Sequence, residues 1–455
     1  MNTQRNGLAR ATLVVVVGVL ALGDAALGQL KKERKEKRPA PTQPSAPNQP
    51  ANAAPPVATE PIADKVLVRE KGRDWSFRVD ILIQSGPEIT VVDKNIVRTP
   101  VAMQFSSVAI VFPMLDSSAS HALRAIDGMQ KVTGEFLFND AVIDTTPTIA
   151  QGYQSGTKLA RWEGRNLSGK DANLKVSLGF DCFDTVYDDA LAETIPWPRS
   201  YPPVSASALK PQMFVEYLTD PSQIDPEPGA WLKKQTGGND PKAIPPAQLA
   251  KFLAGRMMED IQPSGKGFFY NSSNEGLAGT LKGFDLRGAG QTLRDGRGSP
   301  HDIACALAAV YKAAGIPART VIGYDVYEQK SNDRGLGGKV GGGELRSWVE
   351  FCLIDPVSYA EIWVPVDVVR MRKAGSRAKP LDQRWKYFGT NDELSYVMPL
   401  AFHYHPPTTV TNIVPALWGW LTNPGSQPYA NTFQFTAFRM PKRGDEPRPG
   451  NDRGR

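Results

Sequence analysis

The sequence predicts an α+β protein in which an antiparallel β-sandwich precedes a domain of mixed helices and strands. From about residue 65 to 200, short segments alternate apolar and polar residues and are separated by turn clusters. A proline-rich junction at 197–211 follows, and helical periodicity begins beyond it. At 455 residues the chain is longer than one ordinary core requires. Two domains with tails are therefore the expected organisation.

The N-terminal region predicts export, followed by a tether. Residues 11–23 form a short apolar run behind Arg5 and Arg10, and small residues come after it, which is typical of a signal peptide over residues 1–28. An uncleaved anchor is the alternative, although the run is short for a membrane span. Residues 29–64 are charged and then proline-rich, so we expect a disordered linker. We expect the protein in the periplasm, in the cell envelope or secreted, with no membrane span after signal cleavage.

The net charge of +6 lies at the ends of the chain. Residues 31–38 (KKERKEKR) hold six basic and two acidic side chains, whereas the charges of residues 65–438 cancel. Because a nucleic-acid-binding domain needs a basic face on its fold, nucleic acid is not an expected partner. Attachment of the basic ends to acidic envelope polymers is a minor alternative.

Residues 65–203 are predicted to form the β-sandwich. The segment WSFRVDILI places large apolar residues at every second position, as in a strand with one buried face. These residues are Trp75, Phe77, Val79, Ile81 and Ile83. Similar segments follow, and Cys182 lies on the apolar face of one of them. Three cysteines in an exported chain allow one internal disulfide at most, but Cys182 and Cys352 both read as core residues of strands.

Residues 204–438 are predicted to form the second domain with a C-terminal β extension, and residues 439–455 a disordered tail. A helix near 300 is followed by three segments of strand character. The glycine-rich stretch 334–344 precedes a strand and not a helix. We therefore interpret it as a surface connection and not as a phosphate-binding loop.

The helix near 300 has clear start and stop signals. Ser299 is a preferred N-cap residue, Pro300 suits the first helical position, and Asp302 completes a capping-box spacing. Gly315 and Pro317 end the helix. A helix N-terminus favours negative charge, and cysteine hydrolases place their thiolate at such a site.

Four motifs lie along this part of the chain. Gly-Ile-Pro-Ala-Arg occupies 315–319, Ser-Trp-Val-Glu 347–350, Trp-Val-Pro-Val-Asp 363–367, and YFGTNDELSY 387–396. With them, the sequence from about 245 to 405 resembles the transglutaminase-like superfamily. That family carries Gly-x-Cys-x-x-x-Ala, Gly-Ile-Pro-Ala-Arg, His-Ala-Trp-Val-Glu and Trp-Val-Pro-Val-Asp in this order. The resemblance implies a papain-like α+β core.

The same resemblance implies that the catalytic triad is degenerate. The position of the family cysteine is Pro300 and that of the histidine is Arg346, while the acid is retained as Asp367. Proline offers no nucleophile, and an arginine does not lose its proton in proteins. We predict that Arg346 and Asp367 form a salt bridge that stabilises the inactive frame. The alternative is that Arg346 is solvated at a strand end.

Three other groups of residues could provide a catalytic or metal-binding site. Cys305 is a fallback nucleophile, although it lies about 7.5 Å along the helix from position 300 and about 140° around it. Ser299 with His301 as its base is a second alternative, although Ser299 is better explained as a cap. The pair His403 and His405 suggests a metal site but lacks a third ligand, so no metal and no cofactor are expected.

The sequence therefore predicts an exported protein without catalytic activity. It would bind a peptide or protein segment in the old cleft, lined by Ser299, His301, Trp348 and Trp363, or play a structural role at the envelope. The alternative is a cysteine-dependent peptide amidase, protease or acyl transferase that uses Cys305.

Overall fold

The computed structural model describes residues 60–92, 95–126, 130–152, 156–218, 220, 222–270, 281–328, 339–340, 343–406, 415–425 and 430–440. The predicted signal peptide, most of the linker, the C-terminal tail and most of the glycine-rich stretch lie outside these residues. No helix in the described part of the chain combines the length and the apolar character needed to cross a membrane.

The largest sheet has eight strands and is built around two long ones. Its strands are β1 (Leu67–Gln84), β5 (Ser117–Ser118), β6 (His121–Arg124), β7 (Val132–Phe138), β8 (Ala141–Asp144), β11 (Asp171–Tyr187), β17 (Lys339–Val340) and β22 (Ala430–Met440). The order is β17-β22-β1-β11-β6-β5, with β7 beside β11 and β8 beside β7. β1 and β11 pair antiparallel, with Trp75 opposite Phe180. The five predicted apolar residues of β1 are all fully buried, so the predicted face is confirmed.

A second sheet faces the same core. It has the order β21-β4-β10-β9, and its strands are β4 (Met103–Leu115), β9 (Thr148–Gln151), β10 (Thr157–Gly169) and β21 (Gly419–Asn423). Phe112 of β4 and Trp162 of β10 belong to one buried cluster with Trp75 and Phe77 of β1. Two antiparallel sheets around a shared apolar core form the predicted sandwich.

A third sheet carries the candidate site. Its order is β19-β18-β16-β20, and its strands are β16 (Ala318–Asp325), β18 (Glu344–Ile354), β19 (Glu361–Val366) and β20 (Val397–Ala401). β16 is buried along its whole length because both of its faces are covered. On β18 the ring of Phe351 packs on Tyr311 of the neighbouring helix, at 5.6 Å between centroids. Tyr324 of β16 packs on Phe77 of the sandwich at 5.4 Å.

Helices surround the third sheet. They are α1 (Ala63–Val66), α2 (Asp189–Ala192), α3 (Pro203–Ser207), α4 (Glu227–Gln235), α5 (Pro246–Asp260), α6 (Ala289–Asp295), α7 (Pro300–Ala313) and α8 (Val368–Ala374). Three two-stranded pairs complete the described elements: β2 (Pro87–Val92) with β3 (Asn95–Pro100), β12 (Gln262–Pro263) with β15 (Arg297–Gly298), and β13 (Phe268–Tyr270) with β14 (Leu281–Phe284). The predicted α+β class is confirmed.

The C-terminal strands lie within the N-terminal sheets. β22 pairs with β1 over eleven residues, from Asp74 opposite Met440 to Gln84 opposite Ala430. β21 pairs with β4. The described residues belong to one compact unit. The division of the chain at 203/204 stays a prediction, and the strands of the C-terminal extension complete both sheets of the sandwich.

Candidate functional site

Pro300, which the sequence predicts at the position of the family nucleophile, is the first residue of α7. Ser299 caps the helix, since its Oγ accepts the N–H of Asp302 at 3.1 Å. In the opposite direction, Oδ2 of Asp302 accepts hydrogen bonds from the N–H of Ser299 at 3.0 Å and from the Ser299 hydroxyl at 2.7 Å. The Ser299 hydroxyl is therefore fully used in the capping box. The predicted helix start is confirmed, and Ser299 is held as a cap.

Beside this helix start, Pro300 borders a cavity of about 10 Å³, together with Ser347, Trp348 and Asp367. A cavity of that size holds at most one water. Ser299 and Trp348 are buried, with exposures of 3% and 1%. The cavity beside Pro300 therefore has room for a water molecule and not for a peptide side chain.

Arg346, the predicted counterpart of the family base, is surrounded by carboxylates. Its Nε donates to Oδ2 of Asp367 at 2.8 Å, which confirms the predicted salt bridge. Its Nη1 donates to Oδ2 of Asp325 at 2.9 Å and to Oε2 of Glu393 at 3.1 Å. Burial alone lowers the pKa of Arg346, but the charges of Asp367, Asp325 and Glu393 outweigh burial and raise it. The guanidinium is permanently charged and cannot accept a proton.

A second arginine completes this group. Nη2 of Arg370 lies 3.3 Å from Oδ2 of Asp325, and its Nε lies 3.3 Å from Oε2 of Glu393. The backbone N–H of Arg370 donates to Oδ1 of Asp367 at 2.9 Å, because Asp367 is the N-cap of α8. We call Asp325, Arg346, Asp367, Arg370 and Glu393 the ion network. It joins β16, β18 and α8.

His301 contacts a residue that the sequence did not single out. Its Nδ1 lies 2.6 Å from Oγ of Ser347, and its ring meets Phe284 edge to face at 5.1 Å. Burial lowers the pKa of His301 to about 3, so the ring is neutral near pH 7. The structure therefore pairs His301 with Ser347 and assigns Ser299 to Asp302. Ser347 lies inside the Ser-Trp-Val-Glu motif, but the motif alone gives no sign of this contact.

Residues 278–368 match the family model described as the transglutaminase-like superfamily. This stretch carries Pro300, Arg346 and Asp367 at the positions described above. The chain contains a transglutaminase-like domain. No curated protein matches the chain by sequence.

Two solved structures are similar to the chain that carries this transglutaminase-like domain. A candidate cysteine protease from Cytophaga hutchinsonii is 12% identical, with a TM-score of 0.43 over 82% of this chain and 93% of its own. A candidate protease from Parabacteroides distasonis is also 12% identical, with a TM-score of 0.20 over 61% of this chain and 57% of its own.

The cysteine of the transglutaminase-like domain that we considered as a fallback is sealed in the core. Cys305 is 1% exposed, and its Sγ lies 3.9 Å from the hydroxyls of Tyr404 and Thr320. Burial, followed by the charge of Asp302, raises its pKa to about 12. A thiol with that pKa is protonated at neutral pH and is a poor nucleophile. Cys182 and Cys352 are buried as well, and all three thiols are free.

His403 and His405, which follow β20, are both buried. Nδ1 of His403 lies 3.2 Å from Oγ1 of Thr157, and Nδ1 of His405 lies 2.8 Å from the carbonyl of Pro406. Across the described ranges, no three His, Cys, Asp or Glu residues are grouped as metal ligands would be. These contacts explain both histidines as packing residues.

Trp363 lies apart from the other predicted cleft residues. It lines an open surface groove together with Arg319 and Phe402, whereas Trp348 and Pro300 border the small cavity. The structure thus brings Pro300, Ser347, Trp348 and Asp367 together. It separates them from Trp363, which the sequence had placed in the same cleft.

Proposed function

We propose that this protein is an exported transglutaminase-like protein without catalytic activity that binds peptide or protein segments at the cell envelope. The observation that carries the proposal is the environment of Arg346. Three carboxylates hold its guanidinium where a catalytic imidazole would have to move a proton. The signal-peptide pattern of residues 1–28 supports export.

Two further features support the loss of chemistry. Acyl transfer through a covalent intermediate needs a nucleophile beside a base, and neither Pro300 nor Arg346 supplies one. The cavity of about 10 Å³ beside Pro300 leaves no space for an acyl group. What remains of such a protein is a rigid frame with surfaces on which a partner can bind.

The alternative is a hydrolase or acyl transferase that uses Cys305. It requires a thiolate, and burial holds the pKa of Cys305 near 12. It also requires an access path, whereas the side chain is 1% exposed. The described geometry favours the non-catalytic protein.

A thiol-reactive dye separates the two functions. We expect 5,5′-dithiobis(2-nitrobenzoic acid) to label none of the three cysteines of the folded protein and all of them after denaturation, because all are buried. We also expect no release of ammonia or amine from peptide amides, with Cys305→Ser as the matched control. Fast labelling of Cys305 together with an amidase signal that Cys305→Ser abolishes would overturn the proposal.

A further inference from the structure

An open groove of about 670 Å³ lies where the start of β1, the turn 116–119 and β19 meet. Its volume is within the range of ligand-binding sites, of roughly 300–1,000 Å³. Arg69, Arg319, Trp363 and Phe402 line it, and all of them belong to the described residues. It is separate from the cavity at Pro300, so it is independent of the degenerate triad.

Arg319 is held rigidly in the wall of this groove. Its guanidinium lies between two aromatic rings, 3.7 Å from the centroid of Trp363 and 3.6 Å from that of Phe402. Its Nε and Nη2 donate to Oε2 of Glu350 at 3.0 and 2.7 Å. Within the described residues Nη1 has no hydrogen-bond partner, and it is not sealed from solvent. Arg319 is only 6% exposed, so the Nη1 edge is the part of this fixed guanidinium that reaches the groove.

Arg69 presents a second guanidinium to the same space. Its Nε donates to the carbonyl of Ala119 at 2.9 Å, and its Nη2 donates to the carbonyl of Ser118. Oε1 of Glu350 accepts the N–H of Ala119 at 3.0 Å, so one turn is attached to both arginines. Within the described residues Nη1 of Arg69 likewise has no hydrogen-bond partner, and Arg69 is an exposed residue. The groove thus offers two positioned cationic donors.

The wall holds three acidic residues, of which Glu361 and Asp116 are already engaged, whereas Asp64 is exposed on α1. Glu361 accepts the N–H of Ser205 at 2.8 Å and the indole N–H of Trp363 at 3.1 Å. Asp116 is paired with Lys131 and Lys158. Neither carboxylate therefore occupies the open edges of the two arginines. All three carboxylates of the wall still repel a ligand with many negative charges, which favours a single carboxylate over a polyphosphate.

We propose that this groove binds an extended peptide segment through an acidic side chain, which accepts hydrogen bonds from Arg69 and Arg319. Guanidinium groups suit carboxylates because they present planar, charged donors. Apolar residues of the wall, among them Leu67, Val204 and Ile362, would pack against neighbouring side chains of the peptide. A carbohydrate ligand is less suited to this groove, because the ring faces of Trp363 and Phe402 that cover Arg319 are not free to stack on a sugar. The inference rests on the proposed function and names its binding site and ligand class.

Val204 allows a test that leaves the core untouched. It lines the groove on α3 and is 43% exposed, so Val204→Glu and Val204→Lys both keep the fold while changing the charge of the rim. The first step is to select random twelve-residue peptides, displayed with no free C-terminus, on the full folded chain. We expect enrichment of Asp and Glu. A synthetic copy of an enriched peptide is then titrated by calorimetry.

We expect Val204→Glu to weaken binding about fivefold at low salt and Val204→Lys to leave it unchanged or tighter. We expect Arg69→Gln to weaken it about tenfold, since a charge-assisted hydrogen bond is lost. Arg165→Gln is the matched control, because Arg165 lines a different concavity on the outer face of β4 and β10. It should leave the affinity unchanged.

The outcomes separate this inference from the proposed function. Selected peptides without acidic enrichment, or equal affinities for the Val204→Glu and Val204→Lys proteins, would overturn the groove while peptide binding itself stands. If no peptide is enriched on the folded chain, both the inference and the proposed peptide binding are wrong.

Discussion

The guanidinium of Arg346 makes contacts that an imidazole at the same position could not make. Its Nε donates to Asp367, and its Nη1 donates to both Asp325 and Glu393. An isolated buried charge would be very costly, and so would three unpaired carboxylates. The ion network satisfies both signs at once. Arginine at position 346 is therefore part of a charge arrangement that includes several other residues, and Arg370 is the second cation of it.

Only part of this arrangement could be predicted from the sequence. The motifs at 347–350 and 363–367 fix the positions of Arg346 and Asp367, and a salt bridge follows from their charges. Asp325, Arg370 and Glu393 carry no motif that points to the same place. They converge because β16, α8 and the turn before β20 meet in the folded chain, which is a property of the tertiary structure.

At the residue scale, His301 gives a prediction on pH. Burial lowers its pKa to about 3, whereas an unfolded histidine titrates near 6.5. The unfolded state therefore binds the proton at a higher pH than the folded state. The contribution of the neutral ring to stability is complete above about pH 6.5 and is lost as the pH falls toward 3.

This dependence can be measured by urea unfolding at pH 7.5 and pH 5 in the wild type and in His301→Asn, which retains a group able to contact Ser347. We expect the wild type to lose about 2 kcal/mol more between the two pH values than the variant does. Burial also lowers the pKa values of His121, His403 and His405, but these three residues titrate equally in both proteins and cancel. Equal losses in the two proteins would contradict the prediction.

At the scale of single elements, α7 and β1 show which features of the fold can be predicted from neighbouring residues alone. The caps of α7 and the alternation of β1 are properties of neighbouring residues, so both elements could be predicted. The contact of His301 with Ser347 joins α7 to β18 across 46 positions of sequence and could not. Helical and strand periods fix which face is apolar, and they do not fix which element covers it.

The N-cap of α7 gives a prediction for this scale. We expect Ser299→Ala to lower the free energy of unfolding by about 1–2 kcal/mol, because the N–H of Asp302 loses its acceptor and the Asp302 carboxylate loses a donor. The measurement is chemical denaturation. Ser207→Ala is the control, since that hydroxyl donates only to the carbonyl of Val204 in the first turn of α3, an exposed contact, and we expect a change within about 0.5 kcal/mol. Equal effects of the two substitutions would contradict the role of the cap.

At the scale of the whole molecule, the first and the last strands of the described residues share one core. Trp418 and Trp420, which flank the start of β21, are buried in the same cluster as Trp75 and Phe77. Alternation in the sequence predicts that such segments are strands, but strand pairing across more than 300 residues is decided by packing and register. For this reason the C-terminal extension could be expected, and its place inside the sandwich could not.

Two truncations of equal design test how much the sandwich depends on these strands. Ending the chain after Asn412 removes both β21 and β22, and ending it after Met440 removes only the residues beyond β22. The first truncation leaves β1 and β4 each with an unpaired edge and takes Trp418 and Trp420 from the core. Unpaired strand edges promote aggregation. The loss of each buried tryptophan lowers the free energy of unfolding by roughly 3–5 kcal/mol. This cost is a large part of the total stability of a typical domain. We therefore expect the first protein to show no cooperative thermal unfolding and the second to unfold at the wild-type midpoint. Both are measured by circular dichroism. A cooperative transition at the wild-type midpoint in the shorter protein would instead show that the sandwich is stable without the C-terminal strands.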